Sequence, residues 1–177
     1  MRFFPATLHA PLARALLLLT GSLAATAHAA PLQVEESAVF AAPPARIWKI
    51  VGDYRGIADW HPAVARTEIV KGRNNARGAV RSIVTRDGAT IVEELLAYEG
   101  GRRTLRYRIV ESPLPVRDYV STLSVQPEGK GARVVWKSEF NRSAEVDDAR
   151  AREIIAGIYQ AGFGGVRARL GEGAAAK

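Results

Sequence analysis

Residues 90–111 read TIVEELLAYEGGRRTLRYRIVE, and this stretch decides the fold class. Two runs, 90–99 and 103–111, are rich in β-branched and aromatic residues and are divided by Gly100-Gly101. Runs of that composition around a glycine pair predict a β-hairpin. Side chains alternate across a strand, so an inward Tyr107 brings Leu105 and Ile109 with it and turns Arg106 and Arg108 outward. The first run sorts less cleanly. An inward Glu93 takes Ile91 and Leu95 along, while Val92, Leu96 and Tyr98 fall on the other face.

Working outward, runs around 64–71, 78–86, 117–126 and 132–141 have the same character. Their separators are Gly72 to Gly78, Asp87-Gly88, Ser112-Pro113-Leu114-Pro115 and Glu128 to Gly131. Together these predict an antiparallel meander. Tyr119, Ser121, Leu123 and Val125 share one face of their strand, and Val134, Trp136 and Phe140 one face of the next. Asp118, Lys137 and Glu139 point the other way. Asp147 to Leu170 changes to helical spacing, with Ala151, Ile154, Ile155, Ile158, Tyr159, Gly162, Phe163, Val166 and Leu170 on one broad side. Before the meander, Val34 to Phe40 reads as a first strand. Pro43-Pro44 opens a helix carrying Ile47, Trp48, Ile50 and Val51. Asp53-Tyr54-Arg55-Gly56 breaks that helix, and Ile57 to Trp60 forms a second short turn stopped before Pro62. The fold class is therefore α+β, a curved antiparallel sheet of about seven strands around a long C-terminal helix. Such a sheet and helix cover each other and leave a gap where small molecules bind.

The chain has 177 residues, net charge +7, three histidines and no cysteine. That excludes a disulfide framework, a thiolate nucleophile and any cysteine-ligated metal site. Residues 1–29 carry Arg2 and Arg14, an apolar run through Ala15 to Ala25, and Ala27-His28-Ala29. This is the pattern of a cleaved secretory signal peptide, so a periplasmic or secreted location is expected. The expected organisation is 1–29 signal, 30–170 a single domain, and 171–177 a disordered tail. After cleavage no stable membrane span is expected, and His61 is the last histidine left. The remaining arginines are scattered among acidic residues rather than gathered in a basic groove, so no nucleic-acid partner is expected.

The order and spacing of several short segments resemble a known family. They are Ala42-Pro43-Pro44-Ala45-Arg46-Ile47-Trp48, Asp59-Trp60-His61-Pro62, Gly78-Ala79-Val80-Arg81, Glu93-Glu94-Leu95, Pro113 to Tyr119, and Trp136 before Phe140. They are similar to the SRPBCC group, polyketide cyclase/dehydrase-type proteins of the START-like, birch-pollen-allergen-like superfamily. The resemblance implies the helix-grip fold. Plant abscisic-acid receptors look like distant relatives, which implies pocket positions at Arg81, Glu93, Tyr119 and Ser121, with His61 near the receptors' carboxylate-binding lysine. Their gate and latch are replaced here by Thr85-Arg86-Asp87-Gly88 and Leu114-Pro115-Val116. What carries over is a pocket, without hormone recognition or phosphatase partnering.

Candidate ligand-binding residues are Arg81, Glu93, Tyr107, Leu114, Tyr119, Ser121, Trp136, His61, Tyr159 and Phe163. An inward Arg81 and Glu93 would be costly to bury unpaired. They either neutralise each other as a structural pair, or Arg81 grips a ligand carboxylate or phosphate. His61 reads as a surface or pocket-rim residue, or as a ligand contact. Trp60 reads as packing under the helix pair, and Trp48 as a helix-to-sheet anchor. Leu114, stiffened by two prolines, is either an apolar lid or part of an ordinary connection. The glycines at 157, 162, 164 and 165 suggest close backbone approach or a helix that yields to admit ligand.

No nucleophile elbow, phosphate loop or dinucleotide fingerprint is present, and no metal site or cofactor is implied. The expected function is a carrier or sensor of a hydrophobic, lipid-like or aromatic molecule. Alternatives are a cyclase or dehydratase acting on a polyketide-like or aromatic substrate through Glu93 with Tyr119, or an accessory protein of a periplasmic oxidoreductase complex, with a periplasmic protein partner.

Overall fold

The computed structural model of the protein describes residues 30–172. The expected signal at 1–29 and the last tail residues lie outside that range. Strand β1 spans Leu32–Phe40, helix α1 Pro44–Val51, and a 3-10 helix Tyr54–Asp59. Strands β2 to β7 follow at Val64–Lys71, Val80–Thr85, Thr90–Glu99, Thr104–Glu111, Val116–Glu128 and Gly131–Arg142. Helix α2, Asp148–Leu170, closes the chain. All neighbouring strands are antiparallel, and the sheet order is β1-β7-β6-β5-β4-β3-β2. Among the described residues, the one strand pairing that skips along the chain joins β1 to β7. That is the curved sheet around a long helix that the period-two runs imply.

Local chemistry sets the ends of α2. The Asp147 carboxylate accepts from the Arg150 N–H at 2.7 Å and so satisfies one of the helix's free donors. At the other end Gly171 is left-handed (φ 75°) and donates to the Ala168 and Arg167 carbonyls, while the Glu172 N–H reaches Arg167 O at 3.0 Å. Gly171 and Glu172 thus cap the helix rather than starting a tail. The Glu172 carboxylate also accepts from the Ala41 N–H at 2.9 Å.

Two irregularities decide which side chains face α2. A register shift in β4 between Leu95 and Ala97 resets the alternation and pairs Tyr98 with inward Leu105. This explains the untidy sorting of that strand, since Tyr98 packs partly buried against the core. In β6 a second shift lies between Arg117 and Val120, with Asp118 left-handed at φ 53°. Arg117 and Asp118 are both exposed there, and Tyr119 is the first residue of the strand turned fully inward.

Trp48 does join helix to sheet as expected, but from the edge of the core. Ile47 and Val51 supply the buried side of α1, while Trp48 sits half-buried at its edge, its ring 5.8 Å from that of Tyr98. Tyr54, expected in a chain break, instead opens the 3-10 helix and is wholly buried. Among the described residues no helix is long and apolar enough to cross a membrane.

Candidate functional site

A cavity of about 390 Å³ lies between α2 and the inner face of the sheet. Ile155, Ile158 and Tyr159 of α2 form one wall. Ile83, Ile91, Glu93, Tyr107, Ile109 and Tyr119 of β3 to β6 form the other, with Trp136 of β7. Ile57 and His61 close one side, and Thr85-Arg86-Asp87 and Leu114 lie at the cavity's rim. Among the expected site residues, His61, Glu93, Tyr107, Leu114, Tyr119, Trp136 and Tyr159 are brought together here. Arg81, Ser121 and Phe163 are buried but do not line the cavity.

Arg81 is consumed by the protein. Its Nε and Nη2 donate to Glu93 Oε2 at 2.7 and 2.6 Å, and its Nη1 donates to the Tyr54 carbonyl at 2.5 Å. The guanidinium carbon lies 4.1 Å from the Tyr54 ring centre and 5.3 Å from that of Tyr107. Hydrogen bonds and cation–π contacts offset the lost hydration of the charge. Of the two readings of this pair, the structural one describes Arg81, and Glu93 is the member that faces the cavity. Burial raises the Glu93 carboxyl above the ordinary glutamate range, with Arg81 pulling against it.

A network of hydroxyls links several of the wall residues. Trp136 Nε1 donates to Tyr107 Oη at 2.9 Å and to Ser121 Oγ at 3.0 Å. Ser121 in turn donates to the Lys137 carbonyl at 2.9 Å and lies 3.3 Å from Tyr159 Oη. Tyr159 is also hydrogen-bonded to Tyr119. Burial pushes Tyr107, Tyr119 and Tyr159 all above the usual phenol range, so they remain protonated donors at neutral pH. Ser121 therefore acts as the anchor of this network, not as a wall residue. Phe163 packs edge-on between Phe40 and Trp136.

His61 is buried at 4% exposure, which corrects the surface reading. Its Nε2 donates to the Ile158 carbonyl at 3.0 Å, and its Nδ1 accepts from the Ala63 N–H at 3.3 Å. Both ring nitrogens are engaged in the neutral form, and a second ring proton would have to displace the Ala63 bond. Burial, helped by the Arg81 charge and opposed by the Ile158 bond, lowers the His61 pKa below its ordinary value. Below pH ~6.5 the unfolded chain then binds a proton that the folded chain resists. Stability contributed by His61 is present above that pH and falls as pH drops toward the depressed folded value. Urea titrations between pH 7.5 and 5 are expected to show a steeper loss for the native sequence than for His61→Gln. Parallel pH curves for the two would show that His61 does not titrate this way.

Leu114 sits at the rim between two fixed points. Its N–H donates to Ser112 Oγ at 2.9 Å, and the next residue's carbonyl, Pro115 O, accepts from Ser143 N–H at 2.9 Å. Cavity residues not singled out as site residues in the sequence include Ile57, Ile83, Ile91 and Ile109, together with the two isoleucines of α2, Ile155 and Ile158. The two isoleucines belong to the long apolar face of α2, which gives no sign of which part borders a cavity.

The family profile described as polyketide cyclase / dehydrase and lipid transport matches residues 31–171. The chain belongs to this family. The polyketide cyclase/dehydrase and lipid-transport family supports a hydrophobic-ligand-binding or cyclase-like role. Among solved structures, protein XoxI of Bacillus cereus is similar at 26% identity and TM-score 0.72, covering 78% of this chain and 94% of that one. A protein of Thermobifida fusca shares 30% identity at TM-score 0.68, covering 79% and 93%. The allergen Ara h 8.0201 has the same fold at 18% identity and TM-score 0.60, covering 78% and 99%. No curated protein matches the chain significantly. The family members' shared helix-grip architecture is thus present here, with its cavity walled by this chain's own aromatic residues.

Proposed function

We propose that the protein is an exported carrier or sensor that holds a hydrophobic small molecule in the cavity between α2 and the sheet. The observation that carries this reading is the wall itself: isoleucines and aromatic rings enclose about 390 Å³, with few polar atoms turned inward. Family membership supports it. The basic, apolar and Ala27-His28-Ala29 pattern of residues 1–29 supports export.

A carrier is favoured over a cyclase by how the acid is held. A general acid–base needs freedom to exchange its proton with substrate. Glu93 is instead tied to Arg81 by two short contacts, and Tyr119 is hydrogen-bonded to Tyr159 rather than to Glu93.

Native mass spectrometry of the protein purified from its own host tests the reading. The expected spectrum shows a protein mass beginning at Ala30, with a bound small molecule that is released on unfolding. A ligand-free protein that also takes up no hydrophobic probe would sink the carrier reading. Retention of residues 1–29 would sink export.

A further inference from the structure

Counting protons in the hydroxyl network shows what the cavity offers a ligand. Ser121 has one proton, given to the Lys137 carbonyl, so at the Tyr159 contact Ser121 can only accept. Tyr159 touches both Ser121 and Tyr119, and its single proton serves one of them. Tyr119 keeps a free lone pair whichever way its bond to Tyr159 runs. Tyr107 is the reverse case. Its oxygen accepts from Trp136, and its own proton makes no hydrogen bond of good geometry among the described residues; Ser121 Oγ, the hydroxyl beside it, already accepts from Trp136. On Glu93 both Arg81 contacts converge on Oε2, leaving Oε1 without a donor among those residues. All three groups are on side chains that line the cavity.

We propose that the cavity recognises a hydroxyl group carried inward on an apolar body, and discriminates against a carboxylate. The ligand oxygen accepts the Tyr107 proton, and the ligand's own proton goes to Glu93 Oε1 or to Tyr119. A carboxylate has no proton to give and would bring a negative charge to Glu93, while Arg81, sealed behind it, has no donor to spare. The chemical class is a neutral alcohol, phenol or enol. Arg86 is the cation that lines the cavity's rim; its Nε donates to the Pro62 carbonyl at 2.7 Å. It stands beside Asp87.

This inference rests on the carrier reading, and a set of probes separates the two. Naphthol, methoxynaphthalene, naphthalene and naphthoate, substituted at one ring position, are titrated calorimetrically, with NMR shifts of cavity residues to place them. Naphthol is expected to bind roughly tenfold tighter than naphthalene, with the ether between them and naphthoate weakest. Tyr107→Phe is expected to collapse the naphthol-to-naphthalene ratio toward one. Equal binding of naphthol and naphthalene, or a ratio unchanged in Tyr107→Phe, overturns hydroxyl recognition and leaves the carrier reading standing. Tight naphthoate binding that Arg86→Gln abolishes would seat the head at the rim and overturn it too. Failure of all four to enter the cavity overturns both.

Discussion

Replacing Arg81 with methionine is expected to destabilise the domain by about 3–5 kcal/mol, the usual cost of stripping one partner from a buried ion pair. Both side chains are buried, at 5% and 8% exposure, so Glu93 would be left without compensating charge or hydration. The Tyr54 carbonyl loses its Arg81 donor in the same step. The loss carries a pH signature. Burial already raises Glu93, and removing the guanidinium takes away the opposing pull, so its folded pKa rises further. A carboxyl whose folded pKa lies above its unfolded value adds stability at low pH and loses it as pH rises through the folded pKa. The deficit of Arg81→Met should therefore be smaller near pH 5 than at pH 8. Adding Glu93→Leu should recover most of the stability, because an apolar pair in place of a buried ion pair is often neutral or better. Denaturant midpoints of the two single variants and the double variant check this. Additive losses would mean that the pair is not coupled.

Much of this site was legible in the alternation of the strands, and the limits of that legibility are physical. Tyr107, Tyr119 and Trp136 follow from period-two patterning, because each strand has one face against α2. Arg81 and Glu93 follow too, and their cross-strand pairing makes the ion pair a natural outcome. What alternation cannot supply is the third partner of Arg81. Tyr54 comes from a 3-10 turn far away in sequence, and its clamp on the guanidinium turns a candidate ligand grip into structure. Bulges have no period either. The shift in β4 sends Tyr98 inward against the pattern, and Trp48 meets it at the edge of the core. His61 is buried because α2 presents the Ile158 carbonyl to it, a contact across 97 positions of chain.

The glycines of α2 show the same limit most sharply, since composition reveals a cost without revealing its sign. Gly164 and Gly165 are adjacent, yet alanine should act oppositely at the two. A Cβ on Gly164 would meet nothing within 4 Å, so Gly164→Ala should stabilise by about 0.5–1 kcal/mol through helix propensity alone. A Cβ on Gly165 would stand 1.7 Å from the Trp60 carbonyl oxygen, which is backbone and has no rotamer to give. Gly162 is similarly close, 2.8 Å from the Trp136 ring and 3.0 Å from His61. These two glycines mark close approach of α2 to the Trp60-His61 segment, in place of a turn that yields to ligand. Gly165→Ala must push α2 away from that segment, at a cost of about 3 kcal/mol or somewhat more, the upper end for overpacking. The displacement would also weaken the His61 bond to Ile158 and spread the stack of Trp136 on Tyr159, whose rings lie 4.4 Å apart. Thermal unfolding of both variants, with near-ultraviolet circular dichroism of the tryptophans, reads the two effects together. Equal and small shifts for Gly164→Ala and Gly165→Ala would show that α2 does not depend on this approach.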